Sequence, residues 1–486
     1  MRRQRVRAEL DLEPFHLPGP RLRFFALLLL LALAVRVPML CIYHDAYLTG
    51  GITTSLGLVA RNLLEGRGLT ETTGPAEILL LYDRQAQEGR LRDIEEFPDP
   101  ADQPTAPLIQ RMPGYPALLA LSWRITKSYR YLPLQIIQVL LSSLLPALLY
   151  DAGRRFFGEG PGRIAGILAC LNLAEARLAV VPLYDGWMVF LAGVVLWGLA
   201  RSMERGFPTA SFAFLGLWIA AGIYLKSTLL VLPFCLSLFL LPRLGILPML
   251  PRGLLLVGLP LLALIPWTLR NERIFHRPIV TNTFFWPSVW EGFGEVPNPF
   301  GAVLDDRGTF LQATDSRPGL TYGSPEYDDY FRVKVLEVWR SHPRFVIALW
   351  ARRIARGLLF PGNPWGIAGV DREEKSYARF HRETGGGPLS YVGQRPAVAL
   401  IKLLQRLWDP LLFLLALAGV LANRSRFKDI LPLLAFPAAF FIVTVPVHLE
   451  GRYVLPSSAV FLLFASVPVS AWILRGGPAA RVFGGR

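Results

Sequence analysis

The sequence is poor in charged residues and in cysteine. Only 18% of its 486 residues are charged, against about 25% in an ordinary soluble domain, and 52% are apolar. So apolar a composition excludes a disordered chain and a collagen-like chain. The three cysteines, Cys41, Cys170 and Cys235, lie in or at the ends of apolar runs and form no CxxC pattern. The sequence therefore predicts neither a disulfide framework nor a cysteine metal site.

Apolar runs near the length of about 20 residues that crosses a bilayer dominate the chain. The first run follows a basic N-terminus without a small-residue cleavage site, so we predict an uncleaved span. Ten spans are predicted, over residues 24–43, 134–150, 163–181, 186–199, 210–224, 227–241, 253–269, 410–422, 430–445 and 454–474. The sequence thus predicts an all-α polytopic membrane protein, a single domain over 1–486 with about ten transmembrane helices.

The formal net charge of +15 is explained by topology. Lys and Arg concentrate at the N-terminus and in alternate short connections, which the insertion machinery retains in the cytoplasm. The connecting basic residues are Arg154, Arg155, Arg201, Arg205, Arg243, Arg252, Arg424, Arg426 and Lys428, with Arg475 after the last span. Both termini are therefore predicted inside, and a nucleic-acid partner is not needed to explain the charge.

Two long polar segments, 44–131 and 270–396, fall on the non-cytoplasmic side. Neither shows strands or long helices able to enclose a core, so we expect loops with embedded interfacial helices. Apolar residues at helical spacing predict one such helix near 56–65, with Asn62 on its polar face. A basic amphipathic helix is expected over 343–360, because an arginine at mid-bilayer costs at least about 2.5 kcal/mol. Gly292 and Gly294 are interpreted as turn residues.

Candidate chemical groups follow the first span and precede the next. Asp45 lies just outside the first span, where its carboxylate could accept a proton from a hydroxyl or could simply be a solvated loop residue. Arg111 precedes Pro-Gly-Tyr-Pro at 113–116, whose prolines and glycine are typical of a turn into a helix. Arg111 could contact a phosphate of a substrate or of a lipid headgroup.

Other candidates lie at the outer ends of later spans. Tyr184 and Asp185 interrupt two apolar runs, as a polar turn would also do. Lys226 is a lone outer cation, for which a lipid phosphate would supply a partner. Two strings are more specific, and their polar residues suit headgroup or phosphate oxygens. These strings are Pro266-Trp267-Thr268-Leu269-Arg270-Asn271 and His448-Leu449-Glu450-Gly451-Arg452-Tyr453.

The order of these strings resembles GT-C membrane glycosyltransferases, in particular the protein mannosyltransferase and aminoarabinose transferase group called family 39. The resemblance implies that Asp45 is the catalytic base, although Ala60 of the following helix comes fifteen positions later, farther than the family usually has it. It implies donor phosphate binding by Arg452, Lys226, Arg270 and His448. It also implies substrate binding by Tyr184, Asp185, Glu450, Tyr453 and Arg111.

The expected activity is transfer of a monosaccharide from a polyprenyl-phosphate donor to a hydroxyl of a protein, lipid or glycan, with inversion and at the extracytoplasmic face of the cell membrane. No cofactor is expected. A divalent metal is not indicated, since His44, Asp45 and Glu450 offer no ligand spacing. A lipid-linked glycan flippase, a polytopic transporter and a scaffold are the alternatives, although the sequence shows no matched halves.

Overall fold

The computed structural model describes residues 19–44, 51–72, 105–359 and 377–475. Its helices are α1 (Gly19–Tyr43), α2 (Gly51–Leu64), α3 (Gly114–Thr126), α4 (Leu132–Phe157), α5 (Glu159–Cys170), α6 (Leu173–Leu178), α7 (Tyr184–Glu204), α8 (Thr209–Leu225), α9 (Leu232–Leu244), α10 (Ile246–Phe275), α11 (Phe285–Phe293), α12 (Asp306–Ser316), α13 (Pro325–Ser341), α14 (Pro343–Leu359), α15 (Tyr377–Thr384), α16 (Pro388–Gln394), α17 (Pro396–Ala422), α18 (Phe427–Thr444), α19 (Gly451–Val454) and α20 (Ser458–Arg475). Short 3₁₀ helices occupy Ser227–Val231, Arg424–Arg426 and Leu455–Ser457. Strands β1 (Thr70–Thr72) and β2 (Thr105–Pro107) pair antiparallel, with Thr70 opposite Pro107.

The helices confirm a multi-pass membrane protein. Eight helical segments of the described chain are long and apolar enough to cross a membrane, and α8, with 17 residues, is an apolar helix just below that length. The count of ten is not confirmed, because the span predicted over 163–181 is divided into α5 and α6. The break is at Asn172, whose side-chain oxygen accepts the Glu175 backbone N–H and caps α6.

The basic connections meet at one end of the helix bundle. Arg155 at the end of α4 pairs with Asp151 at 2.9 Å and with Glu204 at the end of α7. Arg243 at the end of α9 pairs with Asp429 at the start of α18. The ends of these four helices therefore lie on the same side, as the predicted alternation of the spans requires. The start of α7 and the ends of α8 and α18 point to the opposite side.

Small residues allow the helices to approach each other closely. A Cβ on Gly419 of α17 would lie 2.0 Å from the Phe464 carbonyl oxygen of α20, and one on Gly216 of α8 would lie 2.5 Å from the Leu255 oxygen of α10. Such contacts replace the hydrophobic driving force, which is absent between helices in lipid. They fix the relative positions of the helices whose outer ends carry the polar residues.

The first polar segment packs onto the bundle through α2 and the β1–β2 hairpin. The helix predicted near 56–65 is part of α2, and Gly66 follows it with φ +78°. Asn62 is buried, and the prediction that it lies on a polar face was wrong. Its side-chain amide donates to the Thr70 carbonyl at 3.1 Å, which satisfies a buried polar group and ties α2 to β1.

The second polar segment encloses a hydrophobic core of its own, contrary to expectation. Helices α11, α13 and α14 bury Phe293, Phe331 and Leu349, among others, in one cluster. The expected amphipathic helix is α14, with Arg352 exposed but Arg353 fully buried. The interpretation of Gly292 as a turn residue was also wrong, since it lies inside α11. Short apolar stretches interrupted by Gly, Pro and Asn concealed this core in the sequence.

Candidate functional site

Lys226 and Asp185 form an ion pair where α8 ends and α7 begins. The Lys226 Nζ atom lies 2.7 Å from Asp185 Oδ1, and Asp185 is only 1% exposed. The same nitrogen lies 4.1 Å from the ring centroid of Tyr453 and 5.0 Å from that of Tyr184. An ammonium between two aromatic rings is stabilised by cation–π attraction. The pair thus joins residues from three distant parts of the sequence.

Arg452 forms the second basic centre of this site. Its Nε lies 2.5 Å from Glu450 Oε2, and its Nη2 donates to the Tyr453 hydroxyl at 3.1 Å. His448 Nε2 lies 3.4 Å from the other oxygen of Glu450, and the His448 ring meets the Tyr453 ring edge-on. Tyr453 therefore contacts both cations, since its ring faces Lys226 and its hydroxyl faces Arg452.

The pKa of Glu450 links the two basic centres electrostatically. Burial alone would raise this pKa, but the hydrogen bond from His448 and the charges of Arg452, His448 and Lys226 lower it to about 2. Glu450 therefore stays ionised at any physiological pH. We call Tyr184, Asp185, Lys226, His448, Glu450, Arg452 and Tyr453 the outer cluster.

Local backbone geometry explains why Lys226 and Asp185 meet. Lys226 adopts an extended conformation, with φ −154° and ψ 124°, which ends α8 and turns its side chain out of the helix. Asp185 lies in the first turn of α7, where a carboxylate is favoured by the helix dipole. Gly186 follows, and a Cβ there would lie 2.5 Å from the Gln138 amide nitrogen. That amide donates to the carbonyls of Ala179 and Val181, which fixes the entry to α7.

Tyr115 is a member of this site that the sequence interpretation missed. It is fully buried at the start of α3, and its ring meets the Tyr184 ring edge-on at 6.3 Å. Gly114 lets the start of α3 approach the end of α8, because a Cβ there would lie 2.4 Å from the Tyr224 carbonyl oxygen. The Pro-Gly-Tyr-Pro string was the available signal: its prolines and glycine place the tyrosine.

Comparison with known proteins agrees with this architecture. Residues 103–268, which include Tyr115, Tyr184, Asp185 and Lys226, match the family model described as dolichyl-phosphate-mannose-protein mannosyltransferase. The oligosaccharyltransferase of Archaeoglobus fulgidus in its apo form superposes with a TM-score of 0.50 and 13% identity, covering 96% of this chain and 52% of that one. The fold is like that of GT-C oligosaccharyltransferases.

Other solved structures of the same Archaeoglobus fulgidus enzyme are also similar. The form tethered to an acceptor peptide containing the NVT sequon has a TM-score of 0.48 at 13% identity, covering 94% of this chain and 50% of that one. The form in complex with an inhibitory peptide and a dolichol-phosphate has a TM-score of 0.47 at 13% identity, covering 96% and 52%. This chain therefore spans about half the length of these structures. No curated protein sequence matches it.

Arg270 of this GT-C fold has contacts unlike those of Arg452. Its guanidinium donates to the carbonyl oxygens of Leu108 at 2.6 Å and Leu69 at 3.0 Å, and to Asn271 Oδ1 at 2.9 Å. It thus fastens the β1–β2 hairpin to the end of α10. The neighbouring Trp267 Nε1 donates to the Thr281 carbonyl. The string at 266–271 therefore anchors the two polar segments, and the phosphate-binding role of Arg270 stays a prediction.

Arg111 lies beside the hairpin. Its positive charge acts on the carboxyl group of Glu71 and on the Tyr322 hydroxyl. Burial raises the pKa of Glu71 to about 7, although hydrogen bonds from Gln110 and the charge of Arg111 oppose this rise. Arg111, which belongs to the first polar segment, is thus close to Tyr322 of the second one. Its contact with a substrate stays a prediction.

Asp45 lies outside the described residues, so its role as base also stays a prediction. The preceding residue, His44, is described: its carbonyl accepts a hydrogen bond of 2.8 Å from the Gln135 amide. The same amide donates to the Val180 carbonyl at 2.8 Å. Within the described ranges, no three His, Cys, Asp or Glu side chains are grouped so that they could hold a metal ion.

Proposed function

We propose that this protein is a membrane glycosyltransferase that moves a monosaccharide from a polyprenyl-phosphate donor to a hydroxyl acceptor at the non-cytoplasmic face. The observation that carries the proposal is that Lys226 and Arg452 both contact Tyr453, at the end of the bundle remote from the basic connections. Two cations at this depth suit a lipid phosphate that enters from the bilayer.

The outer cluster can bind the phosphate of such a donor without losing its own ion pairs. An ammonium has three N–H donors and a guanidinium has five, so Lys226 and Arg452 can each add a phosphate oxygen to the carboxylate that they already hold. Charged hydrogen bonds to phosphate are short and strong. His448 is a further donor when its ring nitrogen carries a proton.

The reaction would be a single displacement at the anomeric carbon. The acceptor oxygen forms a bond to this carbon as the bond to the phosphate oxygen breaks, through an oxocarbenium-like transition state. The acceptor proton passes to the carboxylate of Asp45, and the lipid phosphate leaves with the bonding electrons. Arg452 and Lys226 stabilise the charge that develops on that phosphate. One displacement inverts the anomeric configuration.

The family description of residues 103–268 supports a lipid-linked donor. Tyr184 and Tyr115 offer aromatic surface and hydroxyl groups beside Lys226, which suits a sugar bound next to its phosphate. The polar segments cover the same end of the bundle, where an acceptor would enter.

A transfer assay tests the proposed activity. It uses membranes that carry the protein, with radiolabelled polyprenyl-phosphate mannose, glucose and aminoarabinose as donors. We expect the label of one donor to move to a product that separates from that donor by chromatography or electrophoresis. Asp45→Asn should abolish the transfer, and Arg452→Gln should lower kcat/KM by on the order of a hundredfold, because a phosphate contact is lost in the transition state.

Lys428→Gln is the matched control, because this exposed lysine lies among the basic connections. It should transfer label as the wild type does. Undiminished transfer by Asp45→Asn would remove Asp45 as the base. If the folded protein transfers no label from any donor, or moves intact donor across the membrane, the proposal is wrong.

A further inference from the structure

Arg353 of α14 is a buried arginine that joins two helix ends. Its Nη1 donates to the carbonyl oxygens of Val445 at 2.7 Å and Pro446 at 3.1 Å, just after α18. Its Nη2 donates to the Gly292 carbonyl, 2.5 Å away, in the last turn of α11. The last carbonyls of a helix lack partners within the helix, and a cation there also complements the helix dipole. One guanidinium thus caps two helices.

Glu295 completes this connection. One of its carboxylate oxygens lies 3.3 Å from Arg353 Nε, and the other accepts the backbone N–H of Leu449 at 2.8 Å. Leu449 is the residue before Glu450, which holds Arg452. Arg353 and Glu295 therefore bind the 445–449 segment at both ends, and this segment contains His448 and leads directly to Glu450 and Arg452.

The fit around this segment is close. A Cβ on Gly292 would lie 1.8 Å from the Val447 carbonyl oxygen, so only glycine lets α11 contact the segment here. A Cβ on Gly357 of α14 would lie 2.8 Å from the Phe441 ring and 3.3 Å from Leu449 Cδ1. Polar bonds and close packing thus act on the same stretch of chain.

We infer that Arg353 and Glu295 are positioning residues that set the place of Glu450 and Arg452 in the donor phosphate site. This inference rests on the proposed function for its substrate, but on the contacts above for its geometry. The contacts above join both side chains to the 445–449 backbone, through which they act on Glu450 and Arg452. Without Arg353, three carbonyl oxygens and the Glu295 carboxylate would lose a buried donor, so the segment would move to find other partners.

The test compares Arg353→Lys and Glu295→Gln with wild type in detergent. Lysine keeps the charge of Arg353 but cannot reach carbonyls on both helices, and Gln keeps an oxygen for the Leu449 N–H without the charge. We expect backbone amides of 445–453 to exchange hydrogen about tenfold faster in Arg353→Lys. Affinity for farnesyl phosphate, measured by calorimetry, should fall by about tenfold, with a smaller loss in Glu295→Gln.

Donor kinetics separate positioning from simple loss of fold. We expect KM for the donor to rise more than kcat falls, and amide exchange in α4 and α7 to stay unchanged. The control is Arg352→Lys, one position away and exposed, which should change none of these values. If Arg353→Lys does not fold, Glu295→Gln decides the question.

Two results would overturn the inference: unchanged exchange over 445–453 in a folded variant, or faster exchange with unchanged phosphate affinity and KM. Failure of the proposed function looks different. In that case wild-type protein and Arg452→Gln would bind farnesyl phosphate equally weakly, while the exchange measurement would still show whether Arg353 holds the segment.

Discussion

Lys226 of the outer cluster is held by a carboxylate that is distant in the sequence, whereas Arg452 is held by the residue that precedes its own short helix. Asp185 holds Lys226 across 41 positions, whereas Glu450 holds Arg452 from two positions away. Buried charges of this kind are costly unless they are paired, and the loss of one partner leaves the other unpaired. The carboxylates therefore keep both cations paired and oriented before a phosphate arrives.

A further buried carboxyl group, that of Glu71 on β1, makes the stability of the protein depend on pH. Its pKa in the folded protein, about 7, lies above the ordinary value of 4.5, because burial favours the neutral form more than Gln110 and Arg111 favour the charged one. Because the pKa is raised in the folded state, protonated Glu71 stabilises the fold fully at pH values below its pKa in the unfolded chain. This stabilisation is lost as pH rises through about 7. Full ionisation would cost about 3 kcal/mol.

We predict that Glu71→Gln flattens this pH dependence. The Gln side chain keeps an oxygen for the Gln110 amide but does not ionise. Thermal unfolding in detergent between about pH 5 and 9 should show a smaller decline for the variant than for wild type. Asp328, whose pKa is also raised to about 7, mainly by burial, should leave a residual slope. The control is Glu272→Gln, at an exposed position, which should retain the wild-type dependence of Tm on pH. If Tm of Glu71→Gln falls with pH as steeply as that of wild type, the prediction is wrong.

At the scale of helices, the sequence was sufficient to place Tyr184, Lys226 and Arg452 on one side of the membrane. Hydrophobic runs and basic connections determine the direction of each span, and the outer residues follow from that direction. It was not sufficient to distinguish Arg270 from Arg452. Arg270 follows one apolar run and Arg452 precedes another, and each has an aromatic residue near it in the sequence. The difference is tertiary, because the carbonyls that bind Arg270 come from a hairpin whose strands lie over 160 positions away.

Other features escaped the sequence for related reasons. The buried position of Arg353 depends on the ends of two helices that are 61 and 92 positions distant, so it could not be told from exposed Arg352 by periodicity. Asn172 begins a new helix within a run that has the length of a span. Single polar residues in apolar runs thus had more effect on the architecture than the runs indicated.

The contact between α3 and α8 leads to a prediction about Gly114. A Cβ at this position would meet the backbone carbonyl of Tyr224, which cannot move away as a flexible side chain could. Gly114→Ala should therefore separate α3 from α8 and destabilise the protein by about 1–3 kcal/mol. Because Tyr115 and Lys226 flank this contact, farnesyl phosphate affinity should also fall.

Thermal unfolding and calorimetry in detergent check this expectation, with Gly258→Ala as the control. The nearest atom to a Cβ on Gly258 is Leu254 Cδ1 of the same helix, at 3.5 Å, an ordinary contact. Alanine is the better helix former there, so Tm should stay equal or rise slightly. If Gly114→Ala and wild type have the same Tm, the stability of the protein does not depend on the close approach of α3 to α8.

The whole molecule has two chemically distinct ends. At one end the basic connections pair with Asp151, Glu204 and Asp429, and the described connections between helices are short there. At the other end the two polar segments fold over the outer cluster, the second around a core of its own. The net charge of +15 is therefore concentrated away from the site, and the cations of the outer cluster have carboxylates beside them.

This polarity predicts which end faces the cytoplasm. Glu337 on α13 is exposed at the end of the outer cluster, and Arg205 is exposed after α7 at the opposite end. Cys170 and Cys235 are buried, and Cys41 is exposed, so Cys41→Ala supplies the background. A membrane-impermeant maleimide should label Glu337→Cys in intact cells that express the protein. Arg205→Cys should be labelled only after the membrane is permeabilised, because positively charged connections stay in the cytoplasm. The reverse pattern would put the outer cluster on the cytoplasmic face, where soluble nucleotide sugars could serve as donors and a lipid-phosphate donor would no longer be required.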